Sequence, residues 1–118
     1  MDISTNSELI QKKCKPCEGG VDPCTPDETR QQLTKLDGWR ASEDGKWIFK
    51  EWKVKHFVEG MDFLNRVRDV AEVEGHHPDV HLVGYRKVKI ELTTHAIGGL
   101  SENDFILAAK IDQVASRE

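Results

Sequence analysis

Three of the five histidines lie in two short stretches that could carry acid–base chemistry. His76 and His77 are adjacent, and His95 follows later in the chain. Imidazole titrates near neutral pH, so grouped histidines are a common means of moving protons under physiological conditions. Pro78 disfavours helical geometry at His77. We therefore expect a helix to end at the pair and the chain to change direction there, so that side chains from two elements meet at one pocket.

Several interpretations of these histidines are open. They could form a metal-free acid–base set, in which one imidazole protonates a leaving hydroxyl while another removes a proton. They could bind a metal, although adjacent histidines rarely direct both rings at one ion and no nearby Cys completes a ligand set. His76 and His77 could instead interact only with the dipole at a helix C-terminus, and His95 could be a solvated surface residue. His56, at a helix start, and His81, on a short strand, are interpreted as structural.

Length and composition predict one globular domain without an evident polyanion partner. The chain has 118 residues, of which 37% are apolar and 32% charged, with a net charge of −4. No basic patch is evident, which argues against direct nucleic-acid binding. No apolar run approaches the roughly 18 to 20 residues of a membrane span. Met1–Lys13 lacks the apolar region of a secretory signal. We expect a cytoplasmic protein, or an organellar one if a transit peptide has been removed.

Residues 1–24 are predicted to be a flexible, polar, cysteine-containing tail that precedes a folded domain over residues 25–118. The tail holds Cys14, Cys17 and Cys24. An odd number of cysteines argues against a disulfide framework. Cys14-x-x-Cys17 resembles half of a zinc site, but no second half follows at a suitable spacing. A reduced tail is the favoured interpretation, with zinc binding or a redox role as the alternative.

The first half of the predicted domain reads as a helix followed by a hairpin. Thr25 is a suitable N-cap, Pro26 suits the first helical position and Glu28 completes a capping box. Asp37-Gly38 ends this helix. Asp44-Gly45 lies between β-prone residues 39–42 and 47–54, which predicts a hairpin. The pattern of the second strand leaves its inward face undecided.

The second half begins with the longest predicted helix, over residues 56–74. Its apolar face is predicted from spacings of three and four, and its members are Phe57, Met61, Leu64, Val67 and Ala71. Gly60 weakens the helix and suggests close packing. The helix is expected to end near Gly75.

Two further strands and a helix complete the chain. Residues 80–83 form a short strand, and Val88, Ile90 and Leu92 alternate with polar residues in the next strand. By this alternation His95 falls on the polar side, where it can face a cleft. Ser101 and Asp104 cap the last helix. Its wide apolar stripe predicts two buried faces, one against the sheet and one against another subunit.

The order α-β-β-α-β-β-α indicates an α+β fold, a four-stranded antiparallel sheet with helices packed on one face. The other face of such a sheet can remain open to water. That face, or its edge, could receive a flat ligand or a second subunit.

Several of these residues resemble the signature of the pterin-4a-carbinolamine dehydratases. The resemblance covers residues from about Thr25 to Val114 and joins uncommon residues at fixed spacings. The matching positions are Asp37-Gly38-Trp39, Ile48-Phe49-Lys50, Glu72-x-x-x-His76-His77-Pro78, Tyr85, Thr93-Thr94-His95, Gly99-Leu100-Ser101 and Asp104-Phe105.

The resemblance implies a reaction and a set of site residues. The reaction is dehydration of a 4a-hydroxytetrahydropterin to the quinonoid dihydropterin, which recycles the cofactor of aromatic amino-acid hydroxylases, without a metal or organic cofactor. His76 and His95 are expected to transfer protons, and His77 to hold the substrate hydroxyl. The remaining expected substrate-binding residues are Glu72, which could orient an imidazole, Trp39, which could cover the flat ring, Thr93 and Thr94, which would offer backbone groups, and Pro78.

The resemblance also implies partners and alternatives. Family members are homodimers or homotetramers. A protein-binding role, as a dimerisation cofactor of a transcription factor, is the alternative from a different class. A third possibility is the handling of another pterin, for example in molybdenum-cofactor metabolism. The sequence does not distinguish these pterins, because they share the same ring.

Overall fold

The computed structural model describes residues 1–16, 19 and 21–115. Cys17 lies outside the described residues. In chain order, the helices and strands are α1 (Asn6–Gln11), α2 (Pro26–Leu33), β1 (Arg40–Ala41), β2 (Ile48–Lys53), α3 (Phe57–Glu74), β3 (Asp79–Val83), β4 (Lys87–Leu92), a 3₁₀ turn (His95–Ile97) and α4 (Glu102–Ala115).

The four strands form one antiparallel sheet in the order β1-β2-β4-β3, which confirms the predicted α+β class. Ile48, Ile90 and Leu92 are fully buried on its inner face. The ring of Trp52 on β2 meets Phe63 of α3 edge-to-face, with 5.0 Å between centroids. The inward face of β2, undecided from its pattern, is therefore the one that carries Ile48 and Trp52.

Helix α3 is confirmed in extent, but its buried face differs from the prediction. Phe57 and Met61 are 52% and 40% exposed. The buried positions are Gly60, Phe63, Val67 and Ala71. Gly60 explains the shift, because a Cβ there would lie 3.0 Å from Leu82 Cδ1 on β3, so its absence lets the helix approach the sheet.

The N-terminal stretch contains a helix that the sequence analysis did not predict. Thr5 and Glu8 form a capping box at the start of α1, the same signal that correctly placed the start of α2 at Thr25. Leu9 of α1 is fully buried, and α1 packs against α4. This part of the expected flexible tail is therefore folded onto the domain.

Helix α4 is buried on most of its circumference, from Asn103 to Val114. Its wide apolar stripe was expected to face the sheet and another subunit. In the structure, α1 of the same chain covers part of the second face, and Leu9 joins the same core cluster as Phe105 and Ile106. Among the described residues, no helix has the length and apolar character needed to cross a bilayer.

Candidate active site

A cavity of about 570 Å³ lies where the C-terminal end of α3, the end of β4 and the N-terminal segment meet. This volume is within the range of small-molecule sites. Its lining residues are Lys13, Cys14, Lys15, Pro16, Glu72, Val73, Glu74, Gly75, His76, His77, Thr93, Thr94, His95, Ala96 and Asn103. The three histidines singled out in the sequence therefore border one space.

His76 is held by a buried carboxylate. Helix α3 ends at Gly75, whose positive φ of 66° turns the chain out of the helix. The following side chain, His76, is only 13% exposed, and its Nε2 lies 2.6 Å from Oδ1 of the fully buried Asp104. A carboxylate only accepts hydrogen bonds, so this contact assigns the proton to Nε2 and leaves Nδ1 as the other functional atom of the ring.

Asp104 is fixed by two further donors. Its Oδ2 accepts the Ser101 N–H at 3.0 Å and the Thr94 hydroxyl at 2.8 Å. The same carboxylate thus caps α4 and orients the His76 ring. The sequence predicted Asp104 only as a helix cap and did not indicate its contact with His76. The available signal was that Asp104-Phe105 belongs to the set of positions that resembles the family signature.

His77 and Glu72 form a pair at the rim of the cavity. The distance from His77 Nε2 to Glu72 Oε2 is 2.6 Å, and the two side chains are 63% and 68% exposed. The imidazole that Glu72 orients is thus that of His77. Being exposed, this pair is open to solvent and to an incoming ligand.

His95 is the first residue of the 3₁₀ turn and is exposed. Its ring packs edge-to-face against Trp47, with centroids 5.6 Å apart and an interplanar angle of 81°. Trp47 comes from the segment before β2 and was not among the predicted site residues. An aromatic edge contact of this kind limits the orientations of the imidazole.

Thr93 and Thr94 are buried, and most of their hydrogen-bonding groups already have partners within the protein. The Thr94 N–H donates to Gly99 O at 2.9 Å, and its carbonyl accepts the Ile97 N–H at 3.2 Å. The Thr93 hydroxyl donates to Lys46 O at 2.5 Å. Both residues line the cavity, but the backbone of Thr94 already has internal partners, which weakens the expectation that it offers a backbone donor to a ligand.

Trp39 lies away from the cavity. It is 4% exposed, and its Nε1–H donates to Asp112 Oδ2 at 2.9 Å. Its ring packs edge-to-face on Trp52 in the core. The expectation that Trp39 covers a flat ligand is therefore not met in this geometry. Pro78 is also outside the cavity lining, and its contribution is to the turn after His77.

The other two histidines have structural partners elsewhere. His56 caps α3, with Nδ1 accepting the Glu59 N–H at 3.4 Å. His81 Nε2 lies 2.7 Å from Glu91 Oε1 across β3 and β4. Within residues 1–16, 19 and 21–115, no group of three His, Cys, Asp or Glu side chains is arranged to hold a metal ion.

The N-terminal segment forms a wall that the sequence analysis did not place at the site. Glu74 accepts the Cys14 N–H and the Lys110 ammonium, each at 2.8 Å. Burial raises the pKa of Glu74, but these two hydrogen bonds and the nearby positive charge outweigh it, so the net pKa is lowered. Burial also raises the pKa of the Cys14 thiol to about 12, so this thiol is protonated at neutral pH.

Comparisons with known proteins agree on one family. Residues 22–114 match the family model described as pterin 4 alpha carbinolamine dehydratase. A mitochondrial pterin-4-alpha-carbinolamine dehydratase 2 of Arabidopsis thaliana is 50% identical over 111 residues, which cover 92% of this chain and 59% of the relative. A family member from Nitrosospira multiformis is 50% identical over 109 residues, which cover 92% of this chain and 94% of the relative.

A solved structure shows the same fold. The crystal structure of a transcriptional coactivator/pterin dehydratase from Brucella melitensis superposes with a TM-score of 0.74 at 30% identity. The match covers 80% of this chain and 99% of that chain.

Proposed function

The chain belongs to the pterin-4-alpha-carbinolamine dehydratase family, and we propose that its three cavity histidines carry out the dehydration of a 4a-hydroxytetrahydropterin. The strongest support is that His76 and His77, which follow the C-terminal end of α3, and His95, which follows the C-terminal end of β4, line one cavity. The activity is that of a hydro-lyase, and its product is the quinonoid dihydropterin.

The reaction needs two proton transfers and no change in total oxidation state. The 4a-hydroxyl accepts a proton, the C4a–O bond breaks, and water leaves. N5 loses its proton, and its electron pair forms the C4a=N5 double bond. A carbinolamine already tends to lose water, so positioned acid and base groups are sufficient assistance.

The geometry supports different roles for the three rings. In His76, Asp104 occupies Nε2, and Nδ1 exchanges a proton at the substrate. His95, braced by Trp47, is the second proton-transfer group. His77, at the rim with Glu72, holds the substrate hydroxyl. Of the threonines, Thr93 is the better candidate for a ring contact, because the backbone of Thr94 has internal partners.

Stopped-flow absorbance tests this function directly. The decay of a 4a-hydroxytetrahydropterin is followed with and without protein, and with His76→Gln, His77→Gln and His95→Gln. We expect acceleration by the wild type and a loss of roughly 100-fold for His76 or His95, the lower end of what a positioned acid or base contributes. His81→Gln is the matched control, since His81 lies outside the cavity. Equal losses for control and site variants would refute the assignment.

Homo-oligomerisation also belongs to the proposal. Strand β3 has a single neighbour in the sheet, so its other edge is available for pairing. Exposed apolar side chains lie on this strand and on α3, namely Val80, Val83, Phe57, Val58 and Met61. These features favour a homodimer or homotetramer that covers the β3 edge and the outer face of α3.

The same surface supports the alternative function as a protein-binding cofactor. The Brucella protein is a transcriptional coactivator/pterin dehydratase by name, and this supports the alternative. A His76→Ala/His95→Ala variant separates the two roles, because it should abolish dehydration and leave oligomerisation and protein binding intact. For location, we propose the cytoplasm or an organelle, since the Arabidopsis relative is described as mitochondrial.

A further inference from the structure

The N-terminal segment Lys13–Pro16 is anchored at the cavity on both sides. Glu74 accepts the Cys14 N–H at 2.8 Å. The Asn103 amide clasps Lys15, accepting its N–H at 3.0 Å and donating to its carbonyl at 2.6 Å. Cys14 and Asn103 are each only 7% exposed. These anchors fix the backbone from which the two lysine side chains project.

Both anchors adjoin the groups that hold His76. Glu74 precedes the Gly75 turn that leads into His76, and Asn103 is next to Asp104. The backbone of Lys13–Pro16 is therefore held at a fixed position beside His76 and Asp104. Lys13 and Lys15 then border the same cavity as the three histidines.

The carboxylates that line the cavity are already paired. Glu72 is bonded to His77 and Glu74 to Lys110. Lys13 Nζ reaches only a backbone carbonyl, that of Val73, at 3.4 Å. Within the described part of the chain, the Lys15 ammonium has no hydrogen-bond or ion-pair partner. Among the described residues, Lys13 and Lys15 are therefore the cavity-lining lysines whose ammonium groups form no ion pair with a carboxylate.

We propose that Lys13 and Lys15 bind an anionic group, a phosphate or a carboxylate, on the substituent of the pterin. This inference rests on the proposed function for the position of the ring. It makes the N-terminal segment a determinant of specificity. Lys12 does not share this role, since its ammonium is bonded to Glu102 and Ser4.

The test compares three 4a-hydroxytetrahydropterins that differ only in the end of their substituent, which is a hydroxyl, a phosphate or a carboxylate. For the wild type at low ionic strength, we expect kcat/KM to favour an anionic form over the neutral one by roughly 10-fold, as two exposed ion pairs allow. Salt should reduce this ratio. A gain with either anion supports the proposal, and the larger gain identifies the group.

The variants Lys13→Gln, Lys15→Gln and their combination should bring the ratio towards 1. Lys35→Gln is the control, because Lys35 is exposed and lies outside the cavity. Binding of the corresponding non-reacting oxidised pterins, followed by fluorescence, tests the lysines even where dehydration itself is not found. The absence of any anion preference in binding, or a preference retained by the double variant, would overturn the proposal.

Discussion

At the scale of single residues, Asp104 connects the fold to the chemistry. One buried carboxylate accepts the Ser101 N–H at the start of α4, the Thr94 hydroxyl after β4 and the His76 ring. The sequence predicts its capping role, because capping depends on local spacing. Its contact with His76 depends on how two distant segments pack, and sequence spacing alone does not predict that packing.

Asp104→Asn should reduce kcat by roughly 10- to 100-fold, a part of the about 10²- to 10⁴-fold that an acid or base contributes. The amide keeps the shape, but its NH₂ must face one of three donors. The pH profile of kcat/KM should also shift, which a purely structural role would not cause. In the His76→Gln background the same change should add little, because the two residues act as one unit. Additive losses would contradict this coupling.

At the scale of elements, the N-terminal segment departs most from the sequence prediction. Its polar composition and prolines indicate a tail, whereas Leu9 of α1 is fully buried and Ile10 packs, partly buried, against the same core. A single buried residue in a short helix gives little periodicity, so only the capping box at Thr5 signalled the helix. The face of α3 was similarly misjudged, because hydrophobicity favoured Phe57 and Met61 while the close approach at Gly60 decided the packing.

Leu9→Ala should lower the free energy of unfolding by about 2 to 5 kcal/mol, as expected for a fully buried leucine. Urea denaturation measures this. Val21→Ala, at a position that is 60% exposed, should change stability by less than about 0.5 kcal/mol. Equal effects of the two substitutions would show that α1 is not packed on α4 in solution.

Docking of the N-terminal segment should depend on acid through Glu74. Its folded-state pKa lies below the ordinary glutamate value of 4.5. A lowered pKa means that the folded state favours the carboxylate, so the stabilisation is complete above pH 4.5 and is lost as the pH falls through the folded-state pKa. The protection factor of the Cys14 amide, which corrects the exchange rate for its intrinsic pH dependence, should fall as the pH drops through that window, and Glu74→Gln should remove this dependence. An unchanged profile in the variant would contradict the assignment.

At the scale of the whole molecule, the order of the strands leaves β3 at one edge of the sheet. The alternation in β4 and the Asp44-Gly45 hairpin signal predict these strands and the antiparallel pairing of β1 with β2 well. Trp39 and Trp47 directly precede β1 and β2. Their positions, in the core and beside His95, depend on how those segments pack against distant parts of the chain, so they could not be predicted from local pattern. The closing of the cavity by the N-terminal segment is likewise a tertiary feature.

Val80→Lys, at a 46% exposed position on β3, should shift any oligomer towards smaller species, because an edge lysine disfavours strand pairing. Light scattering after size exclusion measures the mass. Gln31→Lys, on the exposed side of α2, is the control with the same charge change. An oligomer that is indifferent to Val80→Lys would place the interface elsewhere.

The most direct test of a single histidine-lined pterin site is an NMR titration of histidine side-chain nitrogens with a stable oxidised pterin. We predict that the signals of His76, His77 and His95 shift together along one saturable binding curve, while those of His56 and His81 stay in place. Shifts confined to His56 or His81, or separate curves for His76 and His95, would contradict it.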